Sequence, residues 1–247
     1  MADSLIIIPT YNERENIEKI IETVFSLPKV FHILVVDDGS PDGTANIVKQ
    51  LHKNWTERLF LLERSGKQGL GTAYIAGFKW GLQHHYQYFF EMDADFSHNP
   101  YDLPRLYEAF GHVPADVVVG SRYVKGGRLA NWPLDRILLS YGASLYVRLI
   151  TWMPVKDPTA GFVGYRRNVL ETIDLDKIRF VGYAFQIEMK YAARLLGFKI
   201  AEVPIVFTDR LEGNSKMSRG IVREAIWGVL QMRWNSFFDS YALEFTD

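Results

Sequence analysis

The sequence predicts an α/β protein whose mostly parallel sheet is covered by helices on both faces. Short, uninterrupted apolar runs alternate with segments whose apolar residues recur at helical spacing, and the first run, residues 5–9, ends in a proline. Such a run is typical of a parallel strand that is buried on both sides. Alternating strands and helices imply right-handed crossovers within one sheet. Charged residues follow several of the runs, and this predicts a ligand site at one edge of the sheet.

The composition is that of a globular protein and excludes several kinds of site. The chain has 247 residues, 48% of them hydrophobic, and we expect a single domain over residues 1–247. A net charge of −1 gives no indication of a nucleic-acid partner. Without cysteine there is no disulfide, thiolate metal site or cysteine nucleophile. Because residues 1–4 lack the features of a signal peptide and no apolar run approaches 18 residues, we expect a cytoplasmic protein.

The individual elements follow from these patterns in chain order. After the strand at 5–9 we expect a helix that Asn12 caps, with Glu15 reaching back to it. The later strands are predicted at 32–36, 59–62, 88–95, 116–122 and 200–207, with one more after the turn at 157–162. The later helices are predicted around residue 48, after the glycine-rich turn at 65–73, at 104–110 and at 185–196. Gly197 should end the last of these helices, on which Glu188 is expected to be solvated.

Two carboxylates, Asp93 and Asp95, close the apolar run that begins at Tyr88. On an extended chain, residues two apart point the same way, so the two carboxylates would lie together. Paired acidic oxygens suit a hard divalent cation, which would bridge a diphosphate. The alternative is that Asp95 caps the turn that follows the strand. A second acidic strand end, at Asp37 and Asp38, favours the ligand site.

The stretch 65–73 is a glycine-rich turn that opens a helix, and it fits neither of two common phosphate-binding patterns. The P-loop pattern fails because Leu61 and Gln68 stand where it needs a glycine and a Ser or Thr. The dinucleotide fingerprint is incomplete because Tyr74 stands at its third glycine. Near the helix amino terminus, Lys67 either attracts an anion or is a solvated lysine in a tight turn.

Basic residues also follow two of the predicted strands. Arg122 ends the strand at 116–122, and the last strand leads into a polar loop that contains Arg210 and Lys216. These two cations fit a loop that closes over phosphates. An exposed turn whose charges have no function is the alternative.

Two segments, 128–156 and 218–236, are amphipathic. Together they contain four of the six tryptophans, Trp132, Trp152, Trp227 and Trp234. Scattered arginines prevent the first segment from crossing a bilayer as it stands, whereas Trp with Arg suits the interface between water and lipid. Either segment alone would suit a helix packed on the sheet, but the two together predict attachment to a membrane surface.

The chain resembles the dolichol-phosphate mannose synthases and bacterial polyprenol-phosphate mannosyltransferases in a series of motifs between about residues 4 and 218. The motifs, in order, are IPTYNE (8–13), VVDDGS (35–40), DAD (93–95), GSRY (120–123), TAGF (159–162) and TDR with SKM (208–210, 215–217). Many inverting glycosyltransferases of the GT-A fold share the first three. The last three, with GKQGLG (66–71), narrow the match to the polyprenol-phosphate branch. The resemblance implies a GT-A, Rossmann-like sheet.

The resemblance also implies roles for individual residues. The positions implied to bind the nucleotide and its diphosphate are Pro9, Tyr11, Glu13, Asp37, Asp38, Lys67, Asp93, Arg210 and Lys216. Those implied for Mg²⁺ or Mn²⁺ are Asp93 and Asp95, with Ser97 where relatives often carry glutamine. Those implied for the acceptor phosphate are Arg122, Arg136 and Ser140. Asp95, Arg122 and Arg210 are implied to carry catalysis.

The implied reaction moves mannose from GDP-mannose to a polyprenyl or dolichyl phosphate at the cytoplasmic face of a membrane. Some relatives rely on small membrane subunits, so such a protein is a further partner to expect, whereas a nucleic acid is not. Three alternatives remain open: a UDP-glucose-dependent glucosyltransferase, a nucleotidyltransferase, and a non-catalytic nucleotide- or lipid-binding module. A nucleotidyltransferase should carry a basic glycine-rich loop after its first strand, where this chain has residues 9–13.

Overall fold

The protein is represented by a computed structural model that describes residues 2–182, 184–208 and 219–243, with only the backbone of 219–226. Its strands are β1 (Ser4–Thr10), β2 (His32–Asp37), β3 (Leu59–Glu63), β4 (Tyr88–Glu91), β5 (Val117–Ser121), β6 (Arg128–Ala130), β7 (Val163–Arg166), β8 (Ile200–Pro204) and β9 (Val206–Thr208). Its helices are α1 (Ile17–Phe25), α2 (Thr44–His52), α3 (Leu70–Gln83), α4 (Leu103–His112), α5 (Leu134–Thr151), α6 (Arg167–Thr172), α7 (Ala184–Leu195) and α8 (Arg219–Asn235).

A seven-stranded sheet in the order β3-β2-β1-β4-β7-β5-β8 forms the centre of the fold. All neighbouring strands run parallel except β7, which is antiparallel to β4 and to β5. A second, small sheet pairs β6 with β9. The predicted fold class, a mostly parallel sheet between helices, is confirmed.

Strand β1 shows why the apolar runs are continuous. Leu5 and Ile7 belong to the core on one face of the sheet, whereas Ile6 and Ile8 belong to the core on the other. Helix α1 covers the second face with residues that include Ile17, and α3 and α7 cover the first. Because successive side chains of a strand point to opposite faces, a strand that is covered on both sides must be apolar at every position.

The first helix begins later than predicted. Asn12 does not cap it, because its backbone is left-handed, with φ of 61°, and its N–H donates to the Ser40 hydroxyl. The chain makes a turn over Glu13 to Asn16, and α1 starts at Ile17. Asn12 therefore joins β1 to the loop after β2.

The last two strands also differ from the prediction. The single strand expected at 200–207 is two strands in different sheets, β8 and β9, divided at Pro204 and Ile205. Proline has no N–H with which to continue a ladder. The N–H of Ile205 donates to the carbonyl of Ser121 in β5, and the carbonyl of Ile205 accepts from the N–H of Arg128 in β6. The chain therefore leaves the large sheet at Ile205 and enters the small one.

Helix α7 ends as predicted, but Glu188 is not solvated. Gly197 adopts φ of 85° after the last turn, the left-handed conformation that glycine favours. Glu188 is 1% exposed, and its carboxylate accepts from the N–H groups of Arg179 and Phe180 and from the Tyr241 hydroxyl. Those donors lie outside α7, so helical spacing alone could not identify them.

The segment 128–156 contains strand β6 and the long helix α5, and α5 exposes much of its apolar surface. The exposed apolar residues along it are Leu134, Leu138, Leu139, Tyr141, Leu145 and Leu149, followed by Trp152. Helix α8 packs beside α5 and exposes Trp227, Leu230 and Trp234, followed by Phe237 and Phe238. Among the described helices, none is both long and apolar enough to cross a membrane.

Candidate active site

Among the described residues, the site residues predicted at the ends of strands lie at the edge of the sheet where the parallel strands β1, β2, β4 and β5 end. In the strand register Thr10 stands opposite Asp37, and Arg122 directly follows β5. Strand β7 runs the other way between β4 and β5, so the segment 157–162 that leads into it reaches the same edge. The antiparallel strand thus brings the TAGF motif to the motifs that end parallel strands.

The two aspartates after β2 are held by protein donors. Asp37 is buried and accepts from the Thr10 hydroxyl at 2.8 Å and from the hydroxyl and N–H of Ser40 at 2.6 and 2.9 Å. Asp38 is paired with Arg64, whose Nε lies 2.7 Å from Oδ1. Arg64 belongs to none of the sequence motifs. These contacts fix both carboxylates, and a role in binding a ribose stays a prediction.

Tyr11 and Lys67, two residues predicted to bind the nucleotide, lie against each other. The Lys67 ammonium is 4.9 Å from the centre of the Tyr11 ring, a distance at which a cation is attracted to an aromatic face. Glu13 lies next to this pair in the chain, and its N–H donates to the Thr44 hydroxyl. The structure therefore joins the first motif of the chain to the glycine-rich turn, although more than 50 residues separate them.

The glycine-rich turn has a packing explanation for one of its glycines. A Cβ on Gly71 would lie 2.7 Å from the Phe185 ring, so only glycine lets α3 approach α7 this closely. Tyr74, which stands where a dinucleotide fingerprint would place its third glycine, is fully buried and donates its hydroxyl to Asp93 Oδ1 at 3.3 Å. Burial, reinforced by Asp93, raises the pKa of this hydroxyl well above its usual value. Through this hydrogen bond, helix α3 holds the loop that carries Asp93 and Asp95, which is called the aspartate loop below.

Asp93 and Asp95 lie on a loop, because β4 ends at Glu91 and not at Asp95 as the sequence predicted. The prediction that alternation along an extended strand points both side chains the same way is therefore wrong, because the chain is not a strand here. The Asp93 side chain is 32% exposed, whereas Asp95 is 4% exposed and its Oδ1 accepts from the N–H and the hydroxyl of Ser97 at 3.0 and 2.6 Å. The alternative interpretation, that Asp95 caps the turn, is confirmed as one of its functions.

His98, which belongs to none of the sequence motifs, holds the start of this loop. Its Nδ1 accepts from the N–H of Asp93 at 3.1 Å, where an extended strand would have continued. The ring is almost completely buried and stacks on Phe162 with a centroid distance of 5.0 Å. The histidine thus connects the aspartate loop to the last residue of TAGF.

The two aspartates fit a metal ion that arrives with a diphosphate better than one held by protein alone. Within the described ranges, no three His, Cys, Asp or Glu side chains are grouped so that they could hold a metal. Mg²⁺ commonly binds through one or two carboxylates, completed by water and by the phosphates of a substrate. Asp93 and Asp95 carry carboxylates of this kind, and the Ser97 oxygen lies beside Asp95. That these residues bind a metal stays a prediction.

Arg122 is held by a buried carboxylate that the sequence did not identify as part of the site. Its Nε and Nη2 donate to the two oxygens of Asp157 at 2.7 and 2.6 Å, and Nη2 also donates to the Thr159 hydroxyl at 2.7 Å. Asp157 is 0% exposed. Burial by itself would raise the pKa of Asp157, but the charge and hydrogen bonds of Arg122 outweigh it and lower that pKa. The guanidinium is therefore fixed in one orientation at the end of β5.

The other two residues predicted for the acceptor, Arg136 and Ser140, are linked to Arg122 through neighbouring side chains. The Ser140 hydroxyl accepts from the hydroxyl of Tyr123, the residue after Arg122, at 2.8 Å. The Arg136 guanidinium lies 3.7 Å from the centre of the Trp132 ring. The centres of the Trp132 and Phe207 rings are 5.7 Å apart, and Cζ of Arg122 lies 5.5 Å from the centre of the Phe207 ring. Continuous side-chain contacts thus connect all three.

Two predicted phosphate-binding residues, Arg210 and Lys216, lie outside the described residues. Strand β9 ends at Thr208, two residues before Arg210. Their roles stay predictions from the motifs.

Comparison with known proteins identifies the family. The model of glycosyl transferase family 2 matches residues 5–174. A polyprenol monophosphomannose synthase of Mycolicibacterium smegmatis is 48% identical, over 92% of this chain and 86% of that protein. An undecaprenyl-phosphate mannosyltransferase of Micrococcus luteus is 45% identical, over 93% of this chain and 95% of that protein.

Solved structures share the fold at lower identity. A glucosyl-3-phosphoglycerate synthase of Mycobacterium tuberculosis, in complex with Mn²⁺ and UDP, has a TM-score of 0.66 and 17% identity, over 93% of this chain and 79% of that one. A mannosyltransferase of Pyrobaculum calidifontis, in complex with GDP-Man and Mn²⁺, has a TM-score of 0.60 and 17% identity, over 98% of this chain and 66% of that one. These similarities confirm the GT-A-like fold. The chain belongs to glycosyl transferase family 2 and, within it, to the polyprenol-phosphate mannosyltransferases that its motifs resemble.

Proposed function

We propose that this protein transfers mannose from GDP-mannose to the phosphate of a polyprenyl monophosphate, at the surface of a membrane. The observation that carries the proposal is the arrangement of helix α5. Five of its six exposed apolar residues lie within an arc of about 80° at 3.6 residues per turn, and Leu139 widens this arc to about 160°, whereas Arg136 and Ser140 fall outside it. One helix thus carries an exposed apolar surface and, outside it, two polar residues, of which Ser140 is bonded to Tyr123 beside Arg122. An acceptor with an apolar tail and a phosphate head needs both.

On the donor side, the residues that would hold the nucleotide sugar surround the aspartate loop. Tyr11 and Lys67 offer an aromatic face and a cation, and Asp93 and Asp95 would hold Mg²⁺ or Mn²⁺ against the diphosphate. When bound, the metal would neutralise the charge that develops on the leaving GDP. Tyr74 and His98 keep the loop in place through Asp93.

On the acceptor side, the site requires no general base. The second pKa of a phosphate monoester is about 6, so the acceptor is largely a dianion at neutral pH. One of its oxygens attacks the anomeric carbon, and the bond between that carbon and the diphosphate oxygen breaks with its electron pair on GDP. Arg122 and Arg136 would bring this anion towards a second anion, so catalysis is mainly electrostatic and positional.

The apolar surfaces of α5 and α8 support peripheral attachment to a membrane. The Arg233 guanidinium lies 5.4 Å from the Trp152 ring and 4.6 Å from the Phe237 ring, so the two helices share one surface of aromatic residues and arginine. This mixture suits the interface of a bilayer. We infer attachment at the cytoplasmic face, where a small membrane protein would be a further partner.

A donor panel tests the proposed reaction. Purified protein is incubated with Mg²⁺ or Mn²⁺, a short polyprenyl phosphate, and either GDP-mannose or UDP-glucose, and the released nucleoside diphosphate is measured. We expect release of GDP that depends on both the acceptor and the metal. Release of UDP instead would make the protein a glucosyltransferase, and no release with either donor would favour a binding module.

Replacement of Arg136 by alanine should lower acceptor efficiency. The change removes a charge-assisted hydrogen bond to the acceptor phosphate, worth about 1.5–3 kcal/mol, so kcat/KM for a short polyprenyl phosphate should fall roughly tenfold to a hundredfold. GDP affinity, measured by calorimetry, should stay unchanged. Arg194→Ala, at an exposed arginine of α7, is the control. Wild-type efficiency of Arg136→Ala in detergent-free solution would place Arg136 outside the acceptor site.

Replacement of two exposed leucines of α5 should weaken membrane binding without impairing chemistry. Leu138 is 70% exposed and Leu149 is 64% exposed. Burying one leucine side chain contributes about 1.5–3 kcal/mol, so Leu138→Ser with Leu149→Ser should lower partition into phosphatidylcholine vesicles by at least about tenfold. Transfer to a short, water-soluble acceptor should persist. Val30→Ser, at an exposed valine before β2, is the control, and equal sedimentation of both variants would exclude α5 from the membrane surface.

A further inference from the structure

A lysine with no predicted function lies at the centre of the molecule, on helix α7. Lys190 is 0% exposed, and its Nζ donates to the carbonyl of Ala160 at 2.7 Å. Burial lowers the pKa of Lys190 to about 8, although the neighbouring Glu91 and Asp157 act to raise it. A lysine is almost never fully buried unless it is paired, so this position needs an explanation.

One side of Lys190 supports the acceptor site. The carbonyl that it binds belongs to the segment 157–160, whose Asp157 and Thr159 hold the Arg122 guanidinium. Thr159 also lies 3.2 Å from the Ser144 hydroxyl of α5, the helix that carries Arg136 and Ser140. The position of this short segment therefore sets where Arg122 lies relative to α5.

A second buried carboxyl group, that of Glu91, lies within the electrostatic influence of Lys190. Glu91, the last residue of β4, is fully buried and precedes Asp93 by two residues. Burial raises the pKa of Glu91 to about 8, and the nearby Lys190 and Gln186 act in the opposite direction. Neither oxygen of the Glu91 carboxyl has a hydrogen-bond partner among the described residues, so Lys190 acts on Glu91 through its charge, whereas its direct bond is to the segment that holds Arg122.

We propose that Lys190 is a positioning residue that orients the acceptor arginine, Arg122, through the segment 157–160. The proposal rests on the proposed function, because it assigns the acceptor phosphate to Arg122. Lys190 touches neither substrate. It fixes the segment that orients Arg122 through its bond to the carbonyl of Ala160. Displacement of a reacting group by about 1 Å can cost a hundredfold in rate, so one buried ammonium can control the reaction.

The variant Lys190→Met removes the ammonium but keeps an unbranched side chain of similar length. Alone it leaves the buried carbonyl of Ala160 without this donor and removes the cation whose charge acts on Glu91, so lower stability is expected. The double variant Lys190→Met with Glu91→Gln removes both members of the pair and should regain most of that stability. We expect the double variant to transfer mannose with kcat/KM for the acceptor reduced at least about tenfold, and to bind GDP within about twofold of wild type.

Three measurements separate positioning from a purely structural function. Unfolding in urea gives the stability of each variant, calorimetry gives GDP affinity, and initial rates give kcat and KM for each substrate. Tyr165→Phe is the matched control, because Tyr165 is buried in the same core and its hydroxyl has no hydrogen-bond partner in the described part of the chain. Tyr165→Phe should keep wild-type acceptor efficiency.

Recovery of stability together with wild-type acceptor efficiency in the double variant would overturn the proposal, because the lysine would then be purely structural. The variant Arg136→Ala is measured in parallel. If Arg136→Ala lowers acceptor efficiency and the Lys190 double variant does not, the proposed function stands and the role of Lys190 fails. If wild-type protein transfers no mannose to the acceptor, the proposed function fails, and the role of Lys190 fails with it.

Discussion

The variant Asp95→Asn is expected to lose metal-dependent transfer while it keeps the fold. The amide oxygen of asparagine can still accept from the N–H and the hydroxyl of Ser97, so the turn after Asp95 should form as before. The change removes one negative charge from the loop that would hold the metal. Metal stabilisation of a leaving group is worth several kcal/mol, so kcat should fall by at least about a hundredfold.

The measurement is the initial rate of GDP release during a titration with Mn²⁺, together with calorimetric binding of Mn²⁺ in the presence of GDP. Two controls separate charge from turn structure. Ser97→Ala removes one donor to Asp95 and should have a much smaller effect than Asp95→Asn, and Asp176→Asn changes an exposed carboxylate that pairs with Lys79. Turnover of Asp95→Asn at the wild-type rate would remove the metal site from this loop.

The sequence predicts the sheet well because its inner parallel strands are apolar on both faces. Residues 5–8 are all buried, and their pattern has no other good explanation. The strand at 88–95 was predicted too long because its apolar run leads directly into Asp93, and nothing local indicates that the N–H of Asp93 turns to His98. At 200–207 the break depends on which neighbouring strand each half joins, and a single-sequence pattern contains no information on that pairing.

The candidate site was predictable where a motif and a strand end coincide, and not where a partner is distant in the chain. Arg122 and Asp37 follow or end strands, and both lie at the predicted edge. Arg64 and Asp157 could not be predicted because their partners are distant in the chain. Arg64 binds Asp38, 26 positions away, and Asp157 binds Arg122, 35 positions away. In the sequence, Arg64 is an arginine after a strand and Asp157 is an aspartate before a proline. Only the folded structure shows that each forms an ion pair with a residue of the site.

The pair of Arg122 and Asp157 gives the second large expected effect, a loss of stability in Asp157→Asn. This change leaves a buried guanidinium without its opposite charge, which should lower the free energy of unfolding by about 3–5 kcal/mol at neutral pH. Asp239→Asn breaks an exposed pair with Arg179 and should cost less than about 1 kcal/mol. Both values come from urea unfolding followed by circular dichroism.

The pH dependence of this difference provides the sharper test. Arg122 lowers the pKa of Asp157 in the folded protein, so the stabilising contribution is complete above the unfolded pKa, near 3.8, and is lost as the pH falls through the folded pKa. The difference between wild type and Asp157→Asn should therefore be largest at neutral pH and shrink below about pH 4. A difference that stays constant from pH 7 to pH 3 would mean that asparagine disturbs packing and not charge, and Asp157 would then not hold Arg122 as an ion pair.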